Sequence, residues 1–190
     1  MKKEVKKWLC LDTKTLQRTK VFDLMVKRLR SPNNGTEDDF YIIKASNWVN
    51  IIALTPEEDV VMVKQHRFGC DEVTLELPGG IIDEKEDPQQ AALRELVEET
   101  GFAAESASPL GWIYPNPAIL TNRAFAFLAT NTVQTAAQQL DPLEDIAVEL
   151  VPLKEIPALI AGQQITHSLM IAAFMQLFSR DPSSFQKARS

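Results

Sequence analysis

The sequence has no long apolar run, little cysteine and no excess of positive charge, and each absence excludes a class of protein. No stretch reaches the ~20 residues that a transmembrane helix needs, and the lysine-rich start MKKEVKKWLCLD lacks the apolar core of a signal peptide. We therefore expect no membrane partner and a cytoplasmic location. A net charge of −6 argues against nucleic acid as a partner. The two cysteines, Cys10 and Cys70, lack metal-ligand spacing and are predicted to be reduced thiols.

The apolar content is sufficient for a packed core. The chain has 190 residues, of which 45% are hydrophobic, and this length is typical of one domain with an elaborated terminus. Apolar runs and turn residues alternate along it, and strands mixed with helices predict an α+β layered fold. The predicted strands are 5–12, 21–29, 40–45, 49–54, 60–64, 73–77, 111–114, 124–129 and 146–152. The predicted helices are 88–100, 154–161 and 168–179.

The most informative stretch is residues 80–102, which reads GIIDEKEDPQQAALRELVEETGF. Asp87 followed by Pro88 predicts a helix start, because an aspartate is a good N-cap and proline is favoured at the first helical position. Gly101 predicts the helix end, since glycine adopts the left-handed conformation at low cost. The apolar side chains predicted to anchor this helix to the core are Leu93, Leu96 and Val97.

Three carboxylates, Glu95, Glu98 and Glu99, share one face of the predicted helix because residues three and four apart are neighbours. Like charges at this spacing destabilise an isolated helix by about 0.2–0.5 kcal/mol per pair. Such a cluster is favourable where divalent cations bind, and Mg²⁺ prefers oxygen ligands. Arg94 is predicted to lie on a different face and to pair with Glu86 in the preceding loop.

These residues carry a resemblance to a known family. The fixed positions of its motif are all matched, namely Gly80, Glu86, Arg94, Glu95, Glu98, Glu99 and Gly101, and the chain is similar to Nudix hydrolases. The resemblance implies an α/β/α sandwich with a mixed β-sheet over residues 47–190. It also implies an additional N-terminal antiparallel β subdomain over residues 1–46, used for homodimerisation with possible strand swapping.

Features outside this motif, residues 80–102, resemble one branch of that family. Arg67, in Gln65-His66-Arg67, precedes LELPGG at 75–80, Pro117 lies sixteen residues after Gly101, and Glu144-Asp145-Ile146 precedes a strand. This pattern is similar to the branch that hydrolyses ADP-ribose and other nucleoside diphosphate sugars. The resemblance therefore implies release of a nucleoside monophosphate and a sugar phosphate.

The resemblance also implies the roles of individual residues. Mg²⁺, with Mn²⁺ as a substitute, is expected on Glu95, Glu98, Glu99 and the carbonyl of Gly79. Glu144 is the expected general base, with Glu98 or Glu99 as alternatives, and Arg94 completes the catalytic set. The expected substrate-binding residues are Arg67, Pro117, Trp48 and Arg123.

The sequence also allows purely structural roles for these residues and other functions for the chain. A tryptophan such as Trp48 is more often a core residue than a stacking surface, Arg67 can equally be a surface charge, and Pro117 can be an ordinary loop proline. His66 is expected to be a hydrogen-bonded surface or core histidine, and His167 to begin a helix. Other functions are a Nudix hydrolase acting on dinucleoside polyphosphates or nucleoside triphosphates, and a non-catalytic module that senses nucleotide sugars.

Overall fold

A computed structural model describes residues 4–182. The strands are β1 (Leu9–Arg18), β2 (Phe22–Arg30), β3 (Glu37–Ala45), β4 (Trp48–Ala53), β5 (Asp59–Arg67), β6 (Glu72–Glu76), β7 (Phe102–Ala103), β8 (Ser108–Ile113), β9 (Ala124–Ala129), β10 (Val133–Gln134) and β11 (Ile146–Pro152). The helices are α1 (Pro88–Thr100), α2 (Ile156–Ala161), preceded by a 3₁₀ turn at Leu153–Glu155, and α3 (Ser168–Arg180). In this range, no helix has the length and apolarity required to cross a membrane.

Contacts divide the chain into two compact units, and the first is Met1–Ser46 together with Tyr114–Asn122. In this unit β1, β2 and β3 form an antiparallel sheet in that order. The second segment joins β3 through backbone bonds from Ile43 N to Ile119 O (2.8 Å) and from Thr121 N to Ile43 O (3.2 Å). The roles of residues 1–46 and 47–190 as separate domains, and dimerisation through the first, stay predictions.

The first predicted strand, 5–12, is displaced from the observed β1, which begins at Leu9 and ends at Arg18. Every residue of β1 is exposed, so burial leaves no periodic apolar signal to mark its ends. Its extent is set by the ladder with β2, which has irregularities between Cys10 and Asp12 and between Thr15 and Gln17. The short strands β7 and β10, which pair with each other, were also missed by the sequence prediction.

The second unit, Asn47–Ile113 with Arg123–Ser190, contains a sandwich of helices on both sides of strands. One sheet has the antiparallel order β11–β5–β6, and the other has the order β4–β9–β8 with β4 parallel to β9. Backbone bonds from Ile51 N to Pro78 O and from Val49 N to Gly80 O join β4 to the segment after β6. The predicted α+β fold class is confirmed.

Side chains alternate between two cores along the central strands, as the period of two in a β-strand requires. Val49 and Ile51 of β4 pack in the cluster that contains Leu96 of α1. Ile52 points the other way, into the cluster that contains Phe174 of α3. Helix α1 therefore covers one face of the strands, whereas α2 and α3 cover the other.

The local signals for α1 are confirmed. The side chain of Asp87 accepts hydrogen bonds from the backbone N–H groups of Gln89 and Gln90, Pro88 begins the helix, and Gly101 ends it with φ 72°. Of the predicted anchor, Leu96 is fully buried and the half-buried Leu93 packs against the same core cluster, whereas Val97 is half-buried and is not part of that cluster. The remaining buried residues of the helix are Ala91, Ala92, Glu99 and Thr100.

Candidate active site

The three carboxylates of α1 differ sharply in exposure although they lie within five residues. The side chain of Glu98 is 42% exposed and that of Glu95 is 13% exposed, whereas Glu99 is almost fully buried at 4%. The acidic face therefore extends from solvent into the interior of the protein. A solvated acidic face alone would not place a carboxylate in the interior, where charge is costly.

Arg94 links the carboxylates rather than lying apart from them. Its Nε and Nη2 donate to the two carboxylate oxygens of Glu86 at 2.9 and 3.0 Å, so the predicted pairing of these residues is present. Its Nη1 also donates to Glu95 and Glu98, each at 2.9 Å. The prediction that Arg94 lies on a separate face was wrong, because Arg94 and Glu98 are four residues apart and are therefore neighbours on the helix surface. These hydrogen bonds, led by the one to Glu86, raise the pKa of Arg94.

Glu99 has the most perturbed carboxyl group of the helix. Burial is the main cause that raises its pKa to about 8, and the negative charges of Glu95 and Glu144 contribute to this rise. The N–H of Gly79 opposes this effect by donating to Oε2 of Glu99 at 2.9 Å. Burial is likewise the main cause of the raised pKa of Glu95. Burial thus disfavours the ionised form of both carboxyl groups, and a neighbouring positive charge would stabilise that form.

Two glycines allow the segment after β6 to approach this helix closely. A Cβ on Gly80 would overlap the carboxylate of Glu95, and a Cβ on Gly79 would overlap the backbone oxygen of Val49. The backbone at Gly79–Gly80 therefore lies directly against the acidic face of α1 and against β4. A side chain at position 79 would therefore meet backbone, whereas one at position 80 would meet the movable carboxylate of Glu95.

Substitution of Gly80 by alanine is expected to lower kcat/KM by about tenfold, because the new methyl group must displace the carboxylate of Glu95. The obstructing atoms end a flexible side chain, so the melting temperature should change little. The matched control is Gly69→Ala, at a site with no other atom within 4 Å of an added Cβ. Equal kcat/KM values for the two variants would contradict the importance of the Glu95 position.

The donor set suits a hard divalent cation, since three carboxylates and a peptide backbone lie together. Within residues 4–182, however, no three carboxylate, imidazole or thiol groups converge on one point as the side chains stand. Arg94 holds Glu95 and Glu98 in one direction, whereas Glu99 turns toward Gly79 N. The residues fit a cation in their chemistry, and holding one requires Glu95 and Glu98 to rotate away from the guanidinium.

Glu144 lies in the loop between β10 and β11. Its Oε2 accepts a hydrogen bond from Asp141 N at 2.9 Å, and its own N–H donates to Asp141 O at the same distance. The charge of Glu144 contributes to the raised pKa values of both Glu95 and Glu99, after the larger effect of burial. The structure therefore brings this exposed carboxylate within electrostatic range of the acidic face.

Arg67 makes a paired contact that the sequence did not predict. Its Nε and Nη2 donate to the two oxygens of the fully buried Glu76 at 2.8 and 2.6 Å. Burial alone would raise the pKa of Glu76, but hydrogen bonds from Arg67 and Thr74 outweigh it and hold the pKa below its usual range. The guanidinium also lies 5.8 Å from the ring centre of Trp48. A glutamate between two buried leucines in LELPGG was the available signal for this ion pair.

The other predicted binding residues are distributed over the two units. The guanidinium of Arg123 stacks 4.3 Å from the ring centre of the half-exposed Trp112, and its backbone N–H donates to Asn47 Oδ1. Pro117 is exposed and belongs to the segment Tyr114–Asn122 of the first unit. The structure thus groups Arg67 with Trp48 and Arg123 with Trp112.

The two histidines make local hydrogen bonds, as expected from the sequence, and the two cysteines are not joined by a disulfide. His66 is exposed and bonded to Asp71, and Nδ1 of His167 accepts from Leu169 N at the start of α3. Burial lowers the pKa of His167. Cys10 and Cys70 are free and exposed.

Comparison with known proteins identifies the family. The NUDIX domain model matches residues 47–174, which is more than half of the chain. The chain is 29% identical over 183 residues to an ADP-ribose pyrophosphatase of Bacillus subtilis, covering 93% of this chain and 98% of the relative. It is 25% identical over 169 residues to an ADP-ribose pyrophosphatase of Mycobacterium tuberculosis, covering 87% and 80% of the two chains.

Solved structures agree on the fold. The crystal structure of an ADP compounds hydrolase superposes with a TM-score of 0.84 at 20% identity, covering 97% of this chain and all of the other. At that identity the likeness establishes the fold alone. The complete motif, its geometry on α1 and the family match together show that this chain belongs to the Nudix hydrolase family and is related to its ADP-ribose pyrophosphatases.

Proposed function

We propose that this chain hydrolyses the diphosphate bond of ADP-ribose or a related nucleoside diphosphate sugar, giving a nucleoside monophosphate and a sugar phosphate. The observation that carries the chemistry is the acidic face of α1, with Glu95 and Glu99 half-buried or buried against the Gly79–Gly80 backbone. The substrate class is supported by similarity to the Bacillus subtilis ADP-ribose pyrophosphatase over nearly the full length of both chains.

In the proposed mechanism, Glu95, Glu98, Glu99 and the carbonyl of Gly79 would hold Mg²⁺, for which Mn²⁺ can substitute. Bound divalent cations supply neutralisation of diphosphate charge and a lowered pKa for a bound water. Since metal ligation would take Glu95 and Glu98 from Arg94, the bidentate contact to Glu86 keeps that guanidinium in place.

Glu144 is the proposed general base, which accepts a proton from the attacking water. Its exposed carboxylate lies in a loop and within electrostatic range of Glu95 and Glu99. A general base must come within hydrogen-bond distance of the water it deprotonates, so this loop would move when substrate binds. Glu98 and Glu99 are the alternative bases.

The proposed substrate contacts are made by side chains outside the motif of residues 80–102. Arg67 would direct its remaining donors to a phosphate while Glu76 fixes its orientation, since a guanidinium suits phosphate geometry. The flat pairs Arg67–Trp48 and Arg123–Trp112 would offer stacking surfaces for a base or sugar. Pro117 would shape the loop of the first unit.

The test is incubation with Mg²⁺ and a panel of ADP-ribose, GDP-mannose, UDP-glucose, diadenosine polyphosphate and dGTP, with identification of the products. Nucleoside monophosphate plus sugar phosphate from a nucleotide sugar is the expected result, and chelation with EDTA should abolish it. Pyrophosphate release from dGTP alone would overturn the proposal. Absence of turnover on all five compounds would favour a non-catalytic nucleotide-sugar sensor.

We further propose that the chain is a homodimer built through its first unit, with strand swapping as one arrangement. The sheet β1–β3 exposes large apolar side chains, among them Leu9, Leu11, Leu16, Phe22 and Tyr41. The expected solution mass is near twice the 21.3 kDa of one chain. A clean monomer in light scattering at micromolar concentration would contradict this proposal.

A further inference from the structure

The segment before the Glu144 loop covers the C-terminal end of α1. Gln139 N donates to Glu98 O at 2.8 Å, and Thr135 N donates to Gly101 O at 2.9 Å. The last carbonyl groups of a helix have no partner within it, so such bonds satisfy them from outside. The segment that precedes the loop of Glu144 therefore passes along the end of the acidic helix.

Gln138 closes this loop with its side chain. Its Nε2 donates to Glu99 O, in the last turn of α1, at 2.6 Å and to Ile146 O, at the start of β11, at 3.0 Å. Both partners are carbonyl acceptors, so only the amide nitrogen, with its two hydrogens, can serve both. The side chain of Gln138, which precedes the loop 139–145, therefore links Ile146, which follows the loop, to the backbone of the buried Glu99.

The loop held in this way has few other restraints on the side of Glu144. Residues 141–145 are exposed, and Leu143 is 94% exposed. The carboxylate of Glu144 bonds within its own turn, to Asp141 N. The position of Glu144 relative to Glu99 is therefore set by where the two ends of the loop are fixed. The bond from Gln139 N to Glu98 O holds one end and the ladder with β5 holds the other, and the side chain of Gln138 links the two ends to each other and to Glu99.

We propose that Gln138 is a positioning residue that places Glu144 over the acidic face of α1 by tying both ends of its loop to Glu99 O. This inference rests on the proposed hydrolase function and on Glu144 as its base. Loss of the Gln138 amide would leave the loop free to sample positions in which Glu144 cannot reach the attacking water. The effect would fall on kcat, because the contacts proposed for substrate lie elsewhere.

The test compares two adjacent glutamines. Gln138→Ala removes the two side-chain donors, whereas Gln139→Ala keeps the backbone bond from residue 139 to Glu98 O. We expect kcat to fall roughly tenfold in Gln138→Ala with KM nearly unchanged, and neither value to change in Gln139→Ala. Gln138→Met, which keeps the length of the side chain without its donors, should behave like Gln138→Ala. Equal kcat values for Gln138→Ala and Gln139→Ala, or a change confined to KM, would overturn the proposal.

Two further measurements separate positioning from general destabilisation. In a double-mutant cycle, Gln138→Ala should have little additional effect on kcat in a Glu144→Gln background, because both changes remove the same contribution. Full additivity would contradict the proposal. In the metal-free protein, amide hydrogen exchange of residues 139–145 should increase in Gln138→Ala and not in Gln139→Ala. Unchanged exchange would contradict the loop closure even if the wild-type protein proved inactive, so the outcome is independent of the proposed activity.

Discussion

Replacement of Glu99 by glutamine is expected to lower kcat/KM by about 10²–10³-fold, because metal-bound charge stabilisation contributes several kcal/mol and each 1.36 kcal/mol is tenfold. Glu99 is the most buried carboxylate of the acidic face and lies against Gly79. Glutamine has nearly the same shape but a weaker ligand oxygen, so the substitution removes charge and leaves packing unchanged. The measurements are kcat/KM with the preferred substrate of the panel and the affinity for Mn²⁺.

The fold should survive this substitution. The amide oxygen of glutamine can still accept the hydrogen bond from Gly79 N, and a neutral side chain avoids the cost of burying a charge. We therefore expect a melting temperature no lower than that of the wild-type protein. Glu105→Gln, at an exposed position, is the control and should retain wild-type kcat/KM. Wild-type turnover in Glu99→Gln would refute the assignment of Glu99 as a metal ligand.

Replacement of Glu144 by glutamine is expected to lower kcat by about 10²-fold or more while KM stays nearly constant, as loss of a general base typically costs 10²–10⁴-fold. The oxygen of the new amide can still accept from Asp141 N, so the turn at 141–144 should persist. What is lost is the capacity to take a proton. Steady-state kinetics as a function of pH would show whether the acidic limb of the profile, where a general base becomes protonated, disappears with the carboxylate.

Asp145→Asn is the matched control for this change, because it removes one negative charge from the neighbouring exposed position of the same loop. Equal losses in the two variants would indicate a general effect of loop charge rather than a specific base. A change in KM alone for Glu144→Gln would exclude Glu144 as the base. In that case Glu98→Gln would be the next variant to measure, since Glu98 is the more exposed of the remaining carboxylates.

The local features of α1 could be predicted because their causes are local. Asp87 bonds the N–H groups of the two residues after Pro88, and Gly101 adopts the left-handed conformation that ends a helix. The helical period alone placed Glu95, Glu98 and Glu99 on one face. The same period places Arg94 beside Glu98, whereas the simultaneous bonds of its guanidinium to Glu86, Glu95 and Glu98 depend on side-chain conformation, which residue spacing does not specify.

Features that join distant segments could not be predicted in the same way. The bidentate pair of Arg67 and Glu76 forms across the β5–β6 ladder, where Arg67 is paired with Glu72 in register. Likewise, Gln138 finds its two acceptors at Glu99 and Ile146 only after β10 has paired with β7 beside the end of α1. The extent of β1 depends on its hydrogen bonds to β2, since none of its residues is buried.

The sequence by itself determined the family, the acidic helix and its two ends, because the motif residues and caps act within one or two helical turns. The tertiary structure alone decided how unequal the three carboxylates are. Burial of Glu99 in the folded chain, together with the negative charges of Glu95 and Glu144, raises its pKa to about 8, whereas the side chain of Glu98 stays 42% exposed. Burial and electrostatic environment are properties of segments brought together from distant positions, and no local pattern specifies them.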